Sequence, residues 1–443
     1  MPNTVLTPAL QLQDELNPNR TYMRADTFHT LPDRSIVTTL RVFLPFALGY
    51  FLSYLYRVVN AVIAPDLVGD LGIGPSALGL LTATYFIAFA SSQLPLGVLL
   101  DRFGPRRTEA VLLLFAGLGA FVFARSGSLT GLIIGRAFIG FGVSACLMAA
   151  FKAYVLWFPE EQWPMINGFQ MAAGGLGALA ATTPVEASLQ ITNWRGLFTF
   201  LGLLTLLIAV AIYLVVPEKP SQNRKERFSE QLRGIREVFA SPEFWRTAPL
   251  TTMSQAAFLS IQGLWAGPWL KDVAGMDRMA VAGSLQWVAV AMVAGFIGLG
   301  GLAKQMDRHG ISVLSTAIAG MVLFMTVQAA VILGFVASPL LLWICFGFFG
   351  TSGIIAYASL SQHFPSHLSG RVTTGVNLLV FIAAFAGQWL IGTIIGLWPV
   401  TADGAYALPG YQAGFAVMLG AQVLCLIWFA IASIRGRKSA TFG

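Results

Sequence analysis

Apolar stretches of about twenty residues recur along this chain of 443 residues, and they constrain its fold more than any other feature. A helix needs roughly 20 apolar residues to cross about 30 Å of hydrocarbon. Inside lipid the backbone must satisfy its own hydrogen bonds, which favours helices. The predicted spans cover residues 41–64, 77–100, 109–124, 129–157, 165–187, 195–216, 248–270, 280–303, 311–336, 339–361, 372–397 and 411–434. We therefore predict an all-α membrane protein with twelve transmembrane helices.

The composition excludes most soluble classes of protein. Hydrophobic residues make up 56% of the chain and charged residues 11%, too few to cover a water-facing surface. The three cysteines lie in apolar runs and the four histidines lie in the tail or in predicted loops, so no disulfide framework, metal cluster or catalytic pair is expected. We predict no enzyme activity and no cofactor. The basic residues are scattered, which favours contact with anionic lipid over binding of nucleic acid.

The distribution of Lys and Arg predicts the orientation in the membrane. With both termini inside, cytosolic segments carry 20 of the 27 basic residues, outer loops carry four, and three lie within spans. Cytosolic loops of membrane proteins are enriched in Lys and Arg. Both termini are therefore predicted to be cytosolic, in what we expect to be a bacterial inner membrane.

The predicted domains are an N-terminal tail (1–40), a six-helix bundle (41–216), a central loop (217–247), a second six-helix bundle (248–434) and a C-terminal tail (435–443). Part of the central loop is expected to be either an amphipathic helix on the membrane surface or a solvated linker. Asp101-Arg102-Phe103-Gly104 and Asp307-Arg308-His309-Gly310 are offset by 206 residues, as are two Phe-Pro pairs after spans 4 and 10. Matching offsets indicate a duplicated six-helix unit.

The segment from Gly97 to Arg107 carries the most specific local motif. Gly97 lets span 2 approach a neighbouring helix closely, Asp101 can cap a helix N-terminus, and the arginines anchor the loop in the cytosol. It resembles the loop 2–3 signature of the major facilitator superfamily, G-x-L-a-D-R-x-G-R-[RK], with Pro105 in place of the first basic residue after Gly104. In span 4, Arg136 opens a match to the motif R-x-x-x-G-x-G, and Asn193-Trp194-Arg195 is a further common feature.

This resemblance implies two six-helix bundles around a central cavity that work by alternating access. It assigns roles in gating or coupling to Gly97, Asp101, Arg102, Gly104, Arg136, Asp307 and Arg308.

Span 1 is similar to the organophosphate and anion:cation symporter groups, because an Arg follows a Tyr by three residues and precedes a Pro by eight. In those groups the span 1 Arg holds the anionic part of the substrate, which makes Arg57 the main candidate here. The resemblance is incomplete: span 7 lacks the second Arg of the organophosphate group, and Val143 replaces the Glu that anion:cation symporters often carry.

Cations inside the spans predict the charge of the substrate. Arg57 and Arg136 lie at similar depth in the predicted outer half, and Lys152 can extend to the cytosolic interface. The acidic residues are predicted to lie in tails, loops and helix ends, and Asp66 and Glu186 are the ones nearest the membrane core. An anionic substrate would supply the missing charge; alternatively, the two arginines bond helix carbonyls or reach Asp66 and Glu186. Further candidates for the cavity lining are Tyr54, Asn60, Tyr85, Gln93, Gln262, Trp265 and Asn377, with Gln170 and Gln388.

Three functions remain open at this point. The first is a secondary transporter, expected to be monomeric and proton-coupled, that moves a small organic anion. Its proton would have to be carried by Asp66, by Glu186 or by the substrate. The second is an exporter of a drug-like or siderophore-like compound, although the span 5 element of drug antiporters is missing. The third is a membrane sensor or assembly protein on the same fold.

Overall fold

The computed structural model describes residues 36–218, 228–401 and 404–441. Most of the predicted N-terminal tail, part of the central loop and the last two residues lie outside this description. The described chain is helical, in agreement with the predicted fold class. Its helices are α1 (Ile36–Val58), α2 (Asn60–Leu71), α3 (Pro75–Arg125), α4 (Leu129–Gly142), α5 (Cys146–Trp157), α6 (Trp163–Ala180), α7 (Thr183–Leu189), α8 (Trp194–Val215), α9 (Phe228–Ala240), α10 (Pro242–Ser260), α11 (Ala266–Asp272), α12 (Arg278–Arg308), α13 (Val313–Ile332), α14 (Pro339–Phe349), α15 (Ser352–Gln362), α16 (Ser366–Ile395) and α17 (Leu408–Thr441).

Eight helical segments of the described chain are long and apolar enough to cross a membrane alone, and the α1–α2 pair, bent by 47°, makes a ninth. One of the eight, α3, has 51 residues and is broken at Gly104, so it covers predicted spans 2 and 3. The interrupted helices α6–α7 and α10–α11 lie at predicted spans 5 and 7. We call α1–α8 the N-terminal bundle and α10–α17 the C-terminal bundle.

The break between α1 and α2 lies at Val59, where the sequence alone suggests one continuous span. It precedes Pro65, which cannot donate a backbone hydrogen bond to the preceding turn of the helix. A second interruption is the π-helix Ile261–Trp265 between α10 and α11. π-Helical turns of this kind are rare and occur frequently at functional sites.

The central loop contains a helix, α9, as one of the two alternatives predicts. Its apolar residues pack on protein: Val238 is fully buried in a cluster with residues of α10, α15 and α16. Phe239 also faces Gly375 of α16, where a Cβ would stand only 3.0 Å from the ring. Burial of these residues against the C-terminal bundle fixes α9 beside the entrance between the bundles.

Candidate functional site

Arg57 lies at the end of α1, and four aromatic rings surround its guanidinium. The Cζ atom is 4.5 Å from the ring centroid of Tyr54, 5.4 Å from Phe381, 5.6 Å from Phe89 and 6.0 Å from Tyr85. Phe381 belongs to α16, so the C-terminal bundle completes what we call the aromatic cage. Aromatic faces attract a cation, because the ring quadrupole is negative above its plane.

No carboxylate of the described residues forms an ion pair with Arg57. The side chain is 8% exposed, and its Nε atom has no hydrogen-bond partner. A buried charge without a partner is costly, and the aromatic cage offsets only part of that cost. The site can therefore gain free energy by taking up an anion.

Arg136 is also buried without a carboxylate, but it is anchored differently. Its Nη1 donates a hydrogen bond of 2.8 Å to the carbonyl oxygen of Tyr56, and its Cζ lies 5.2 Å from the Tyr85 ring. Tyr85 in turn donates to the carbonyl of Ser53. The Nε and Nη2 atoms of Arg136 have no partner. The bond to Tyr56 agrees with the expectation that this arginine bonds a helix carbonyl.

The other cavity candidates divide into two groups. Tyr54 and Tyr85 belong to the aromatic cage. Asn60, expected to share the face of Arg57, donates to the Thr82 hydroxyl at 3.0 Å and is fully buried. Arg57 and Asn60 both contact α3, although the chain bends at Val59 between them. That Asn60 lines the cavity stays a prediction.

Gln93 and Asn377 connect the two bundles, since the Asn377 amide donates to Gln93 Oε1 at 3.3 Å. Gln262 and Trp265 are buried in the π-helix, and the Trp265 indole donates to the Gln388 carbonyl. Gln170 bridges Tyr154 and the Phe46 carbonyl within the N-terminal bundle.

A cavity of about 350 Å³ opens between the bundles at the predicted cytosolic face. Gln93 marks its inner end. Its walls include Gly97, Asp101 and Lys152 of the N-terminal bundle and Arg371 and Thr374 of the C-terminal bundle. Ile235 of α9 lines it as well. The cavity leads from the predicted cytosolic face toward the aromatic cage.

Asp101 does not cap a helix. It lies within α3 and forms an ion pair with Lys152 of α5. Lys152 reaches this partly exposed carboxylate near the predicted cytosolic end of the bundle, and its extension to the lipid interface stays a prediction. Arg102 lies over the ring of Phe103, its own neighbour in the chain.

The equivalent motif of the C-terminal bundle has a similar backbone but different side-chain contacts. Gly104 and Gly310 have φ angles of 77° and 82°, a left-handed conformation that glycine adopts without strain. Asp307 and Arg308 are exposed at the end of α12, and neither has an ion pair within the described chain. The repeat therefore preserves the turn at Gly310 but not the ion pair.

At the predicted outer face, Arg278 of α12 joins the bundles. It donates to Asp66 Oδ1 and to Glu186 Oε2, both at 2.9 Å. Asp66 and Glu186 therefore pair with Arg278 and with neither Arg57 nor Arg136. Close backbone packing accompanies this bridge: a Cβ on Gly267 or Gly392 would collide with a carbonyl oxygen of the other bundle.

Asp272, at the end of α11, fastens the same end of the C-terminal bundle. Its carboxylate accepts a hydrogen bond of 2.7 Å from the Tyr411 hydroxyl and one from the Tyr406 amide. Burial raises the pKa of Asp272, and burial also raises the pKa of the Tyr406 hydroxyl to about 12. These contacts are structural and far from the aromatic cage.

One buried carboxylate contradicts the expectation that acidic side chains stay outside the packed core. Glu109 of α3 is fully buried, and it forms no ion pair with the described residues. The sequence carries a signal for this: Leu113 and Ala116 follow at helical spacing and are fully buried too. Glu109 is the first residue of that buried face. Because it also lies at the end of a predicted span, the sequence alone suggests an exposed position.

Comparisons with known proteins support the resemblance to the major facilitator superfamily that the sequence motifs indicate. The sequence profile of the Major Facilitator Superfamily matches residues 46–388. A probable sulfoacetate transporter of Cupriavidus necator is 24% identical over 84% of this chain and 90% of its own length. The hexuronate transporter of Bacillus subtilis is 24% identical over 85% of this chain and 92% of its own.

Solved structures share the fold. An inward-facing, unoccupied bacterial homologue of the human lysosomal transporter Spinster has a TM-score of 0.67 at 16% identity, covering 90% of this chain and 96% of that one. A D-xylose–proton symporter has a TM-score of 0.66, covering 87% and 97%. Together with the twelve-helix architecture and the profile match over most of its length, these comparisons show that the chain belongs to the Major Facilitator Superfamily of multi-pass membrane transporters, which are not enzymes.

Proposed function

We propose that this transporter moves a small organic anion by alternating access and that Arg57 holds the anionic group. The observation that carries the proposal is the buried guanidinium without a carboxylate partner, enclosed by rings from both bundles. A guanidinium offers two parallel donors to a carboxylate or sulfonate, whereas ring faces exclude water around the pair.

The relatives add support, because their names specify anions: sulfoacetate, hexuronate and, for a protein of Picosynechococcus matched over 44% of this chain, nitrate and nitrite. Sulfoacetate and hexuronates carry one or two anionic groups on a small polar body.

We also propose that transport is coupled to protons and that the protein functions as a monomer. Both termini are proposed to be cytosolic, in a bacterial inner membrane. Tyr54 and Tyr85 would flank the bound anion, while Gln93 and Asn377 would separate it from the cavity below.

A binding screen tests the proposal directly. Purified protein would be heated with sulfoacetate, D-glucuronate or nitrate, and with D-glucose as an uncharged control. A ligand at 100 times its Kd stabilises the folded state by about 2.7 kcal/mol, which raises the melting temperature. We expect at least one organic anion to stabilise the protein and glucose to have no effect. Stabilisation by glucose or an uncharged drug alone would contradict the proposal.

Counterflow in liposomes distinguishes transport from sensing. Vesicles loaded with unlabelled sulfoacetate or D-glucuronate should take up the labelled anion faster than empty vesicles. Binding without counterflow would favour the sensor or assembly alternative.

A further inference from the structure

Glu109 is a buried acid that the anion site does not use. It lies on α3, five residues after the break at Gly104, and its side chain is fully enclosed. Three carboxylates near the cavity or between the bundles have cationic partners: Asp101 pairs with Lys152, and Asp66 and Glu186 pair with Arg278. Within the described chain, Glu109 is thus a fully buried carboxyl without an ion pair, and the Cys146 thiol is its polar neighbour.

Helices α1 and α5 form the walls of the Glu109 pocket. On α1, Gly49 faces the carboxyl so closely that a Cβ there would collide with Oε1. On α5, the Cys146 thiol faces it, and the Tyr154 hydroxyl lies within electrostatic range. The Tyr154 hydroxyl is already engaged, because it donates to Gln170 at 2.7 Å.

The remaining titratable or charged groups of the packed helices are occupied elsewhere. Lys152 of α5 pairs with Asp101, and the Tyr50 hydroxyl of α1 contacts the sulfur of Met171. On α3 itself, Arg107 bonds Glu218 and Arg106 donates to the Val216 carbonyl. The buried residues of α8, which also packs on α3, include no charged side chain.

Burial without a partner favours the neutral form of a carboxyl group. An isolated ionised carboxylate in an apolar interior loses its hydration, and the group neutralises by binding a proton. No cation replaces that hydration in the Glu109 pocket. The enclosure of Glu109 therefore favours the protonated acid in this conformation.

The pocket communicates with the anion site through two helices. Gly49 precedes Arg57 by eight residues on α1, which is about 12 Å along the helix axis. Cys146 is within electrostatic range of both Arg57 and Glu109. Helices α1 and α3 carry three of the four rings of the aromatic cage as well as the Glu109 pocket. A shift of α1 against α3 and α5 when the anion binds or leaves would admit water to the carboxyl. Water stabilises the carboxylate, so the proton leaves.

We infer that Glu109 is the proton-binding group that couples anion transport to a proton gradient. It binds one proton when the α1–α3–α5 packing closes and releases it when that packing opens. This inference rests on the proposed function and deepens it: Asp66 and Glu186, the carriers expected from the sequence, are held as the ion-pair partners of Arg278.

The test separates coupling from transport. Liposomes containing wild-type protein, Glu109→Gln or Glu109→Asp would be assayed with sulfoacetate and with D-glucuronate, first in counterflow and then in accumulation driven by a pH gradient. Counterflow needs no net proton movement. We expect Glu109→Gln to retain counterflow, whereas gradient-driven accumulation should fall about tenfold or more. A change of that size lies within the range that is usual for the coupling of two binding sites. Glu109→Asp should retain accumulation, and the exposed Glu160→Gln is the matched control.

An infrared measurement tests the same group without any substrate. Wild-type protein at neutral pH should show the carbonyl band of a buried protonated carboxylic acid, shifted by deuterium exchange and absent in Glu109→Gln. Absence of this band in the wild type would overturn the inference, as would wild-type accumulation that ignores the pH gradient, or full accumulation by Glu109→Gln. Failure of the proposed function looks different: the wild type would neither bind nor exchange the anions, while the band would still be present.

Discussion

The two bundles carry the same short motif at an offset of 206 residues, yet they bury different chemistry. The N-terminal bundle encloses Arg57, Arg136, Glu109 and Glu186, all at most 8% exposed. Among the described residues of the C-terminal bundle, the buried polar side chains are amides and hydroxyls. The backbone nevertheless matches at equivalent positions, as the left-handed Gly104 and Gly310 show.

This difference shows that two bundles can share a backbone arrangement while the charges that they bury differ. The turns at Gly104 and Gly310 are alike, whereas the buried charged groups of the described residues lie in the N-terminal bundle alone. The proposed anion and proton sites both belong to the N-terminal bundle. The C-terminal bundle contributes Phe381 to the aromatic cage and Asn377 to the contact with Gln93, and neither side chain adds charge.

Substitution of Arg57 has the largest expected effect. Arg57→Gln should abolish stabilisation by sulfoacetate or D-glucuronate, because loss of a buried charged partner costs about 2 kcal/mol or more in binding. Arg57→Lys should fold and bind weakly, since Lys is a point charge without the planar fork. Thermal shift and affinity on the folded fraction measure both effects.

The exposed Arg107→Gln is the control for Arg57, because it removes a cation from the surface of the same bundle. If Arg57→Gln bound sulfoacetate or D-glucuronate with wild-type affinity, the result would contradict an anion site at Arg57 in the N-terminal bundle.

Arg278→Gln should break the bridge between the bundles at the predicted outer face. It leaves the buried Glu186 carboxylate without its cation, which we expect to cost about 1–3 kcal/mol. The population should shift toward a state open on that face. Spin labels at the exposed positions Ile191 and Leu333, one on each bundle, would report a longer distance by pulsed electron resonance.

The matched control is Arg195→Gln, which removes an ion pair with Asp70 inside the N-terminal bundle. It should leave the distance distribution unchanged. Equal shifts in both variants would mean that the Arg278 bridge has no special part in closing the outer face.

The smallest effect concerns the repeated motif. Asp101→Asn should slow counterflow several-fold and lower stability by about 1 kcal/mol, because it removes a partly buried ion pair with Lys152. Asp307→Asn, at the equivalent exposed position, should change stability by less than about 0.5 kcal/mol. Initial rates and thermal unfolding of the two variants give the comparison, and equal effects would indicate that Lys152 is not the relevant partner.

Much of the architecture follows from the sequence, because the hydrocarbon thickness fixes the length of each apolar stretch and lipid leaves helices as the available structure. The family follows from the motifs around Asp101 and Arg136, confirmed by the profile match. The charge of the candidate site also follows, since a cation within a span is costly wherever the helix points. Arg57 could therefore be selected before any contact was known.

Only the tertiary structure decided which charges meet. Asp66 and Glu186 pair with Arg278 across a sequence separation of 212 and 92 residues, which no local pattern encodes. The bend of 47° at Val59 interrupts a span that the sequence suggests is continuous, and Asn60 just beyond it bonds Thr82 of α3. Glu109 looked like a helix-end carboxylate, and its burial depends on Gly49 and Cys146 of two other helices. Periodicity specifies the face on which a side chain lies, whereas its partner depends on the helix that packs against that face.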